Sequence, residues 1–145
     1  PITGSELTSQ TFTIGSTNDT TAPTVTNFNP PDATTGVNPN TVVIGATIND
    51  YMLNMLSINP RNIQLSYNDG VVERIVAGTV NFVPNTDPPS GATVALPVTF
   101  KPACPLRPNT EYTVRFKGAG VNKPIRDVVG NALAADVTWS FTTAP

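Results

Sequence analysis

Histidine is absent from this sequence, and cysteine occurs once, as Cys104. Without an imidazole there is no Ser–His triad, no Cys–His pair and no nitrogen ligand for a metal. A single thiol excludes an intrachain disulfide framework, and Cys104 reads as a small loop or core hydrophobe, not a nucleophile. Charge is scarce too: charged residues make up 12% of the chain, with a net charge of −2. No basic patch stands ready to neutralise phosphates, so no nucleic-acid partner is expected. No apolar run approaches the roughly 20 residues that a membrane-spanning helix needs, so no membrane insertion is expected. Gly118-Ala119-Gly120 lacks the lysine and helix of a phosphate loop. The ten acids fall mostly in turns or on polar strand faces, and no spacing singles out the carboxylate pair of a glycosidase. No cofactor and no enzymatic activity follow from these residues.

What is abundant points to β-structure. The chain carries 15 Pro and 10 Gly among many Thr and Asn, which suits short strands joined by tight turns. Alternation with period two is the dominant pattern. It predicts strands over Thr41 to Asn49, Thr93 to Phe100, Glu111 to Lys117 and Asp136 to Thr143. Weaker strands are expected over Thr24 to Phe28, Asn62 to Tyr67, Val71 to Ala77 and Thr79 to Val83. Pro97 suggests an edge or a bulge in its strand. Asn68-Asp69-Gly70 signals a hairpin, the segment from Asn29 to Asn40 a long turn, and Pro84 to Gly91 a polar loop. Tyr51 to Ile58 is the one stretch with helical spacing, through Tyr51, Met52, Met55 and Leu56, and is expected to cap one end of the fold. The strand alternation places Val114, Phe116, Trp139 and Phe141 in the core, with ligand stacking as the other use of Trp139. Tyr51 and Tyr67 are the aromatics left for an exposed platform.

Several runs resemble bacterial Ig-like domains of the S-layer SbsA type. They are Thr21-Ala22-Pro23-Thr24-Val25, Gly36-Val37-Asn38-Pro39-Asn40, Pro105 to Val114, Asp127 to Ala134, and Thr138-Trp139-Ser140-Phe141-Thr142-Thr143. The resemblance covers Thr21 to Ala144. It departs where an acidic Phe-Ser-Glu-Pro-Met-like turn would follow the second strand, since Ile48-Asn49-Asp50-Tyr51-Met52 stands there, so no role is carried over to that loop's acid. The resemblance implies an extracellular tandem module without catalysis. The expected fold class is all-β: an Ig-like or fibronectin-III-like sandwich of two antiparallel sheets with an extra N-terminal strand. Leu106, Pro108 and Tyr112 have the spacing of a tyrosine corner, a structural device of such sandwiches.

Residues 21–145 read as the sandwich and residues 1–20 as an extension. Within the extension, Gln10 to Gly15 looks like the last strand of a preceding domain, comparable with Trp139 to Thr143. The expectation is donor-strand complementation: roughly Glu6 to Ser16, through Leu7, Gln10, Phe12 and Ile14, adds to the sheet of a neighbouring copy. Copies of the chain would then be its partners in a head-to-tail polymer. The alternatives are a strand folded onto its own sandwich and the stump of a tandem array, the chain then being a spacer or binding module of a larger secreted adhesin or enzyme. An opening Pro1, with neither initiator Met nor signal peptide, suggests a mature exported product at the cell surface or beyond, or else a trimmed fragment. Asn18-Asp19-Thr20 is an N-glycosylation sequon at Asn18. Asp127 and Asn131 frame a loop that reads as a plain turn, with hard-cation binding as its other use.

Overall fold

The computed structural model describes residues 19–84 and 92–145. Nine strands follow one another: β1 Thr24–Asn29, β2 Thr34–Val37, β3 Ile44–Asp50, β4 Ile63–Asn68, β5 Glu73–Ile75, β6 Gly78–Phe82, β7 Val94–Pro102, β8 Glu111–Phe116 and β9 Val137–Thr143. They form a four-stranded sheet in the order β1-β3-β7-β6 and a five-stranded sheet in the order β2-β9-β8-β4-β5. This is an all-β, Ig-like two-sheet sandwich. One correction to the expected topology concerns β2, which pairs parallel with β9, so the larger sheet is mixed. The expected extra N-terminal strand lies outside the described residues.

Each sheet buries one face because its side chains alternate. Tyr112, Val114 and Phe116 of β8 point inward, as do Trp139 and Phe141 of β9, and all five are buried. From the other sheet Ile44, Ala46 and Ile48 of β3 and Leu96, Val98 and Phe100 of β7 meet them. Phe28 of β1 stacks on Trp139 across the sandwich with ring centroids 4.7 Å apart, and Phe116 flanks Trp139 at 5.5 Å. With no disulfide, this apolar interface holds the sheets together.

The strands run between two poles, and the pole residues position the functional groups. β1 and β2 are successive pieces of one edge that changes sheet. Asn27 adopts a φ of 56° inside β1, where the register with β3 slips between Thr26 and Asn29. The chain then crosses over and β2 docks on β9 through the Ala33 amide to the Ser140 carbonyl at 2.8 Å and the Ala144 amide to the Val37 carbonyl at 2.8 Å. The sequence reads this region as a long turn, because its pairing comes from the far end of the chain and leaves no local alternation.

Three further expectations are revised. Tyr51 to Ile58 is not a two-turn helix; it holds one 3-10 turn, Met55–Ser57, capped by the Asn54 side chain. Leu56 is 88% exposed there, while Leu53, Ser57 and Ile58 are the buried residues. Pro97 sits in β7, a central strand, opposite Thr47; β6 ends at the Phe82↔Val98 pair, so among the described residues Pro97 has a neighbouring strand on one side only. The strand expected over Val71 to Ala77 shrinks to Glu73–Ile75, because Asp69 Oδ1 accepts the amides of both Val71 and Val72 at 2.9 Å and draws them into the hairpin turn.

Truncation tests this packing. Phe116→Ala should cost about 3–5 kcal/mol of unfolding free energy, whereas Leu56→Ala, at an exposed position, should stay within about 0.5 kcal/mol. Urea titration of both variants measures the difference.

Candidate functional site

Period two does not stop with the apolar residues of β3. Ile44, Ala46, Ile48 and Asp50 share one face, so the last residue of the strand turns a carboxylate inward at the pole where β1 begins. Asp50 is only 4% exposed. Neither of its oxygens has a hydrogen-bond partner among the described residues. Burial pushes the Asp50 carboxyl above its ordinary value, and the neighbouring carboxylates of Asp127 and Asp19 push the same way. The amides of Tyr51 and Met52 pull in the opposite direction without completing hydrogen bonds.

Asp127 arrives from the loop between β8 and β9 and is 1% exposed. Its Oδ1 accepts the amides of Gly130 at 2.6 Å and Asn131 at 2.8 Å, while Oδ2 accepts the Asn131 side-chain amide at 2.6 Å. The loop closes with the Asp127 amide donating to the Asn131 carbonyl at 3.0 Å, and Gly130 supplies the left-handed φ of 108° that this turn needs. An isolated bridge between Leu53 and Asp127, and the Val128 amide on the Met52 carbonyl at 2.8 Å, fasten the loop to the end of β3.

Asp19 comes from the segment ahead of β1. Its Oδ1 accepts the Thr21 amide at 2.9 Å, and its carbonyl accepts the Asn131 side-chain amide at 2.7 Å. Its Oδ2 is buried without a partner among the described residues. One carboxylate oxygen from each of Asp19, Asp50 and Asp127 lies within 4.8 Å of the other two. Three chain segments thus converge three acids in a largely desolvated pocket. Neither ion pair among the described residues, Arg74–Asp69 or Arg115–Asp136, involves any of them.

Of the two residues considered for a cation, Asp127 belongs to this cluster. Asn131 does not join it as an oxygen ligand; its side-chain amide donates to Asp127 and Asp19 and ties the entering segment to the loop. Asp50, to which no role was carried over, and Asp19 are the residues that sequence reasoning missed. The signal for Asp50 was present: an acid one step beyond Ile44, Ala46 and Ile48 on the inward register. The Asp19 contacts are long-range, and nothing local announces them.

The opposite pole is structural. The buried Tyr112 hydroxyl accepts the Arg107 amide at 2.8 Å, with Leu106 buried and Pro108 exposed beside it. Thr143 Oγ1 donates to the Arg107 carbonyl at 2.6 Å, joining the end of β9 to the same corner. Tyr67 is not a free platform: it packs on Tyr112 at 5.4 Å and lies under the Arg107 guanidinium at 4.9 Å. Tyr51 is half-buried, and Cys104 is exposed in a loop. Leu7, Gln10, Phe12, Ile14 and Asn18 lie outside the described residues. No helix among the described residues is long and apolar enough to cross a membrane.

Residues 19–143 match the family described as bacterial Ig-like domain. No curated protein matches the chain.

Removing one hydroxyl tests the corner. Tyr112→Phe leaves the Arg107 amide without its partner and should cost about 1–2 kcal/mol with the fold retained, measured by thermal unfolding.

Proposed function

The chain belongs to the bacterial Ig-like domain family, and from that premise we propose that it is a non-enzymatic structural module of a bacterial surface or extracellular protein, carried end to end in a larger assembly. The observation behind this reading is where the chain enters and leaves. Thr24 enters opposite Asn49, at the Asp50 pole. β9 leaves at Thr143, whose hydroxyl accepts the Thr110 amide, and Ala144 accepts the Asn109 amide at the tyrosine-corner pole. A module threaded from pole to pole extends an array by its own long axis, and a nine-residue strand such as β7 contributes roughly 30 Å to that axis. Export to the cell surface and kinship with the S-layer SbsA type belong to the same proposal. A head-to-tail fusion of two full chains should show a maximum dimension near twice that of one chain in small-angle scattering. A dimension close to that of a single chain would refute the end-to-end arrangement.

A second reading, a self-assembling filament subunit, has one specific observation in its favour. Strand donation through Leu7, Gln10, Phe12 and Ile14 requires an open sheet edge in a second copy. Among the described residues β6, Gly78–Phe82, is an edge with no charged residue and no proline to deter pairing. The other edges are short, bulged, or, in β5, occupied by Glu73 and Arg74. Deleting residues 1–17 should convert an oligomer to a monomer by light scattering if strands are donated. Monomeric behaviour of both forms at micromolar concentration would eliminate this reading.

A further inference from the structure

We propose that a single calcium ion is held by the carboxylates of Asp19, Asp50 and Asp127, pinning the segment ahead of β1 to the sandwich. The site stands independently of whether the module serves as a spacer or assembles with itself.

Two observations of different kinds point to the ligand. The first is geometric: three carboxylate oxygens from distant parts of the chain come within 4.8 Å of one another. Oxygens bound to one calcium at about 2.3–2.6 Å lie no more than about 5 Å apart, so the three fall within the reach of a single ion; magnesium gives up its water reluctantly and is seldom held by protein oxygens alone. The second is an unmet demand: among the described residues, Asp50 is 4% exposed with both oxygens unpartnered, and Asp19 Oδ2 is buried and unpartnered as well. Nearly all buried polar atoms in folded proteins find a partner, and here three oxygens at one place do not.

A protein cation does not meet that demand. The charged groups that act on Asp50 are Asp127 and Asp19, both of the same sign. Asp127 already accepts three N–H donors from its own loop, which orients its carboxylate as an outer hydrogen-bonded shell orients a ligand. Oδ1 accepts two of these donors, while Oδ2 accepts one and keeps a lone pair for a further partner. The donors are all carboxylate oxygens, a hard set that suits calcium rather than zinc or copper. Binding there would replace mutual repulsion among three acids with attraction to a shared divalent charge. Since Asp19 belongs to the entering segment while Asp50 and Asp127 belong to the sandwich, the ion would fix the direction from which the chain arrives.

The test is thermal unfolding of the full chain in chelator, then with added calcium or magnesium, alongside calorimetric titration with calcium chloride. Calcium at about 100 times its Kd should raise Tm by on the order of 10 °C, with a stoichiometry near one and a smaller response to magnesium. Asp50→Asn, which removes a repulsive charge at constant shape, should match or exceed the wild-type Tm in chelator and lose the calcium response. Asp19→Asn, which leaves the core untouched, should weaken calcium binding at least tenfold. An unchanged Tm at 10 mM calcium overturns the proposal. So does a calcium shift that persists undiminished in Asp50→Asn, or a lower Tm of that variant in chelator.

Discussion

The register of β3 against β7 is the constraint from which both the core and its acidic pole follow. Seven consecutive pairs, from Ile44↔Phe100 to Asp50↔Val94, leave β3 no freedom to slide. A slip of one residue would turn Ile44, Ala46 and Ile48 outward together. Burying each large aliphatic side chain stabilises the fold by about 1.5–3 kcal/mol, so the apolar residues dictate the face that Asp50 must occupy. The carboxylate is carried inward by its neighbours, not by any partner of its own. Packing thus creates an electrostatic demand at the end of the strand.

The rest of that pole is built around backbone groups. Asn62, buried between the 3-10 turn and the loop after β8, donates through its side chain to the carbonyls of Ser57 at 2.8 Å and Lys123 at 2.9 Å. Gly118 lets the chain after β8 lie against Ala135, where a Cβ would fall 2.3 Å from the Ala135 carbonyl carbon. These contacts tie the loops at this end of the sandwich together, while the three acids have no cationic partner among the described residues. The other pole needs no such partner, because Tyr112 and Thr143 satisfy the corner with neutral hydrogen bonds. The two ends of the module therefore differ in kind: one is locked by neutral groups, the other is arranged around concentrated negative charge.

The strands of the core were legible in the sequence because each carries its own evidence. Tyr112, Val114 and Phe116 announce an inward face without reference to the rest of the chain, and so do Trp139 and Phe141. What escaped depends on distant partners. β2 exists because β9 offers it an edge, and Thr34-Thr35-Gly36-Val37 has no alternation of its own. The helical spacing at Tyr51 to Ile58 yielded to Leu53 and Ile58, which are drawn into the core as the chain crosses from one sheet to the other. Asp127 was visible as a turn residue with a cation as its other use, and its turn geometry is present, but its companions in the cluster, Asp19 and Asp50, are brought beside it only by the fold.

In the proposed arrangement a divalent ion completes a register-enforced cluster of buried carboxylates and joins the entering segment to the sandwich. Hydrogen exchange at single amides, compared in excess calcium and in chelator, addresses it most directly. The amides of Thr21, Gly130 and Asn131, each bonded to an acid of the cluster, should exchange more slowly in calcium than the global change in stability alone produces. Equal protection of these three amides in both conditions would mean that no ion joins the entering segment to the sandwich.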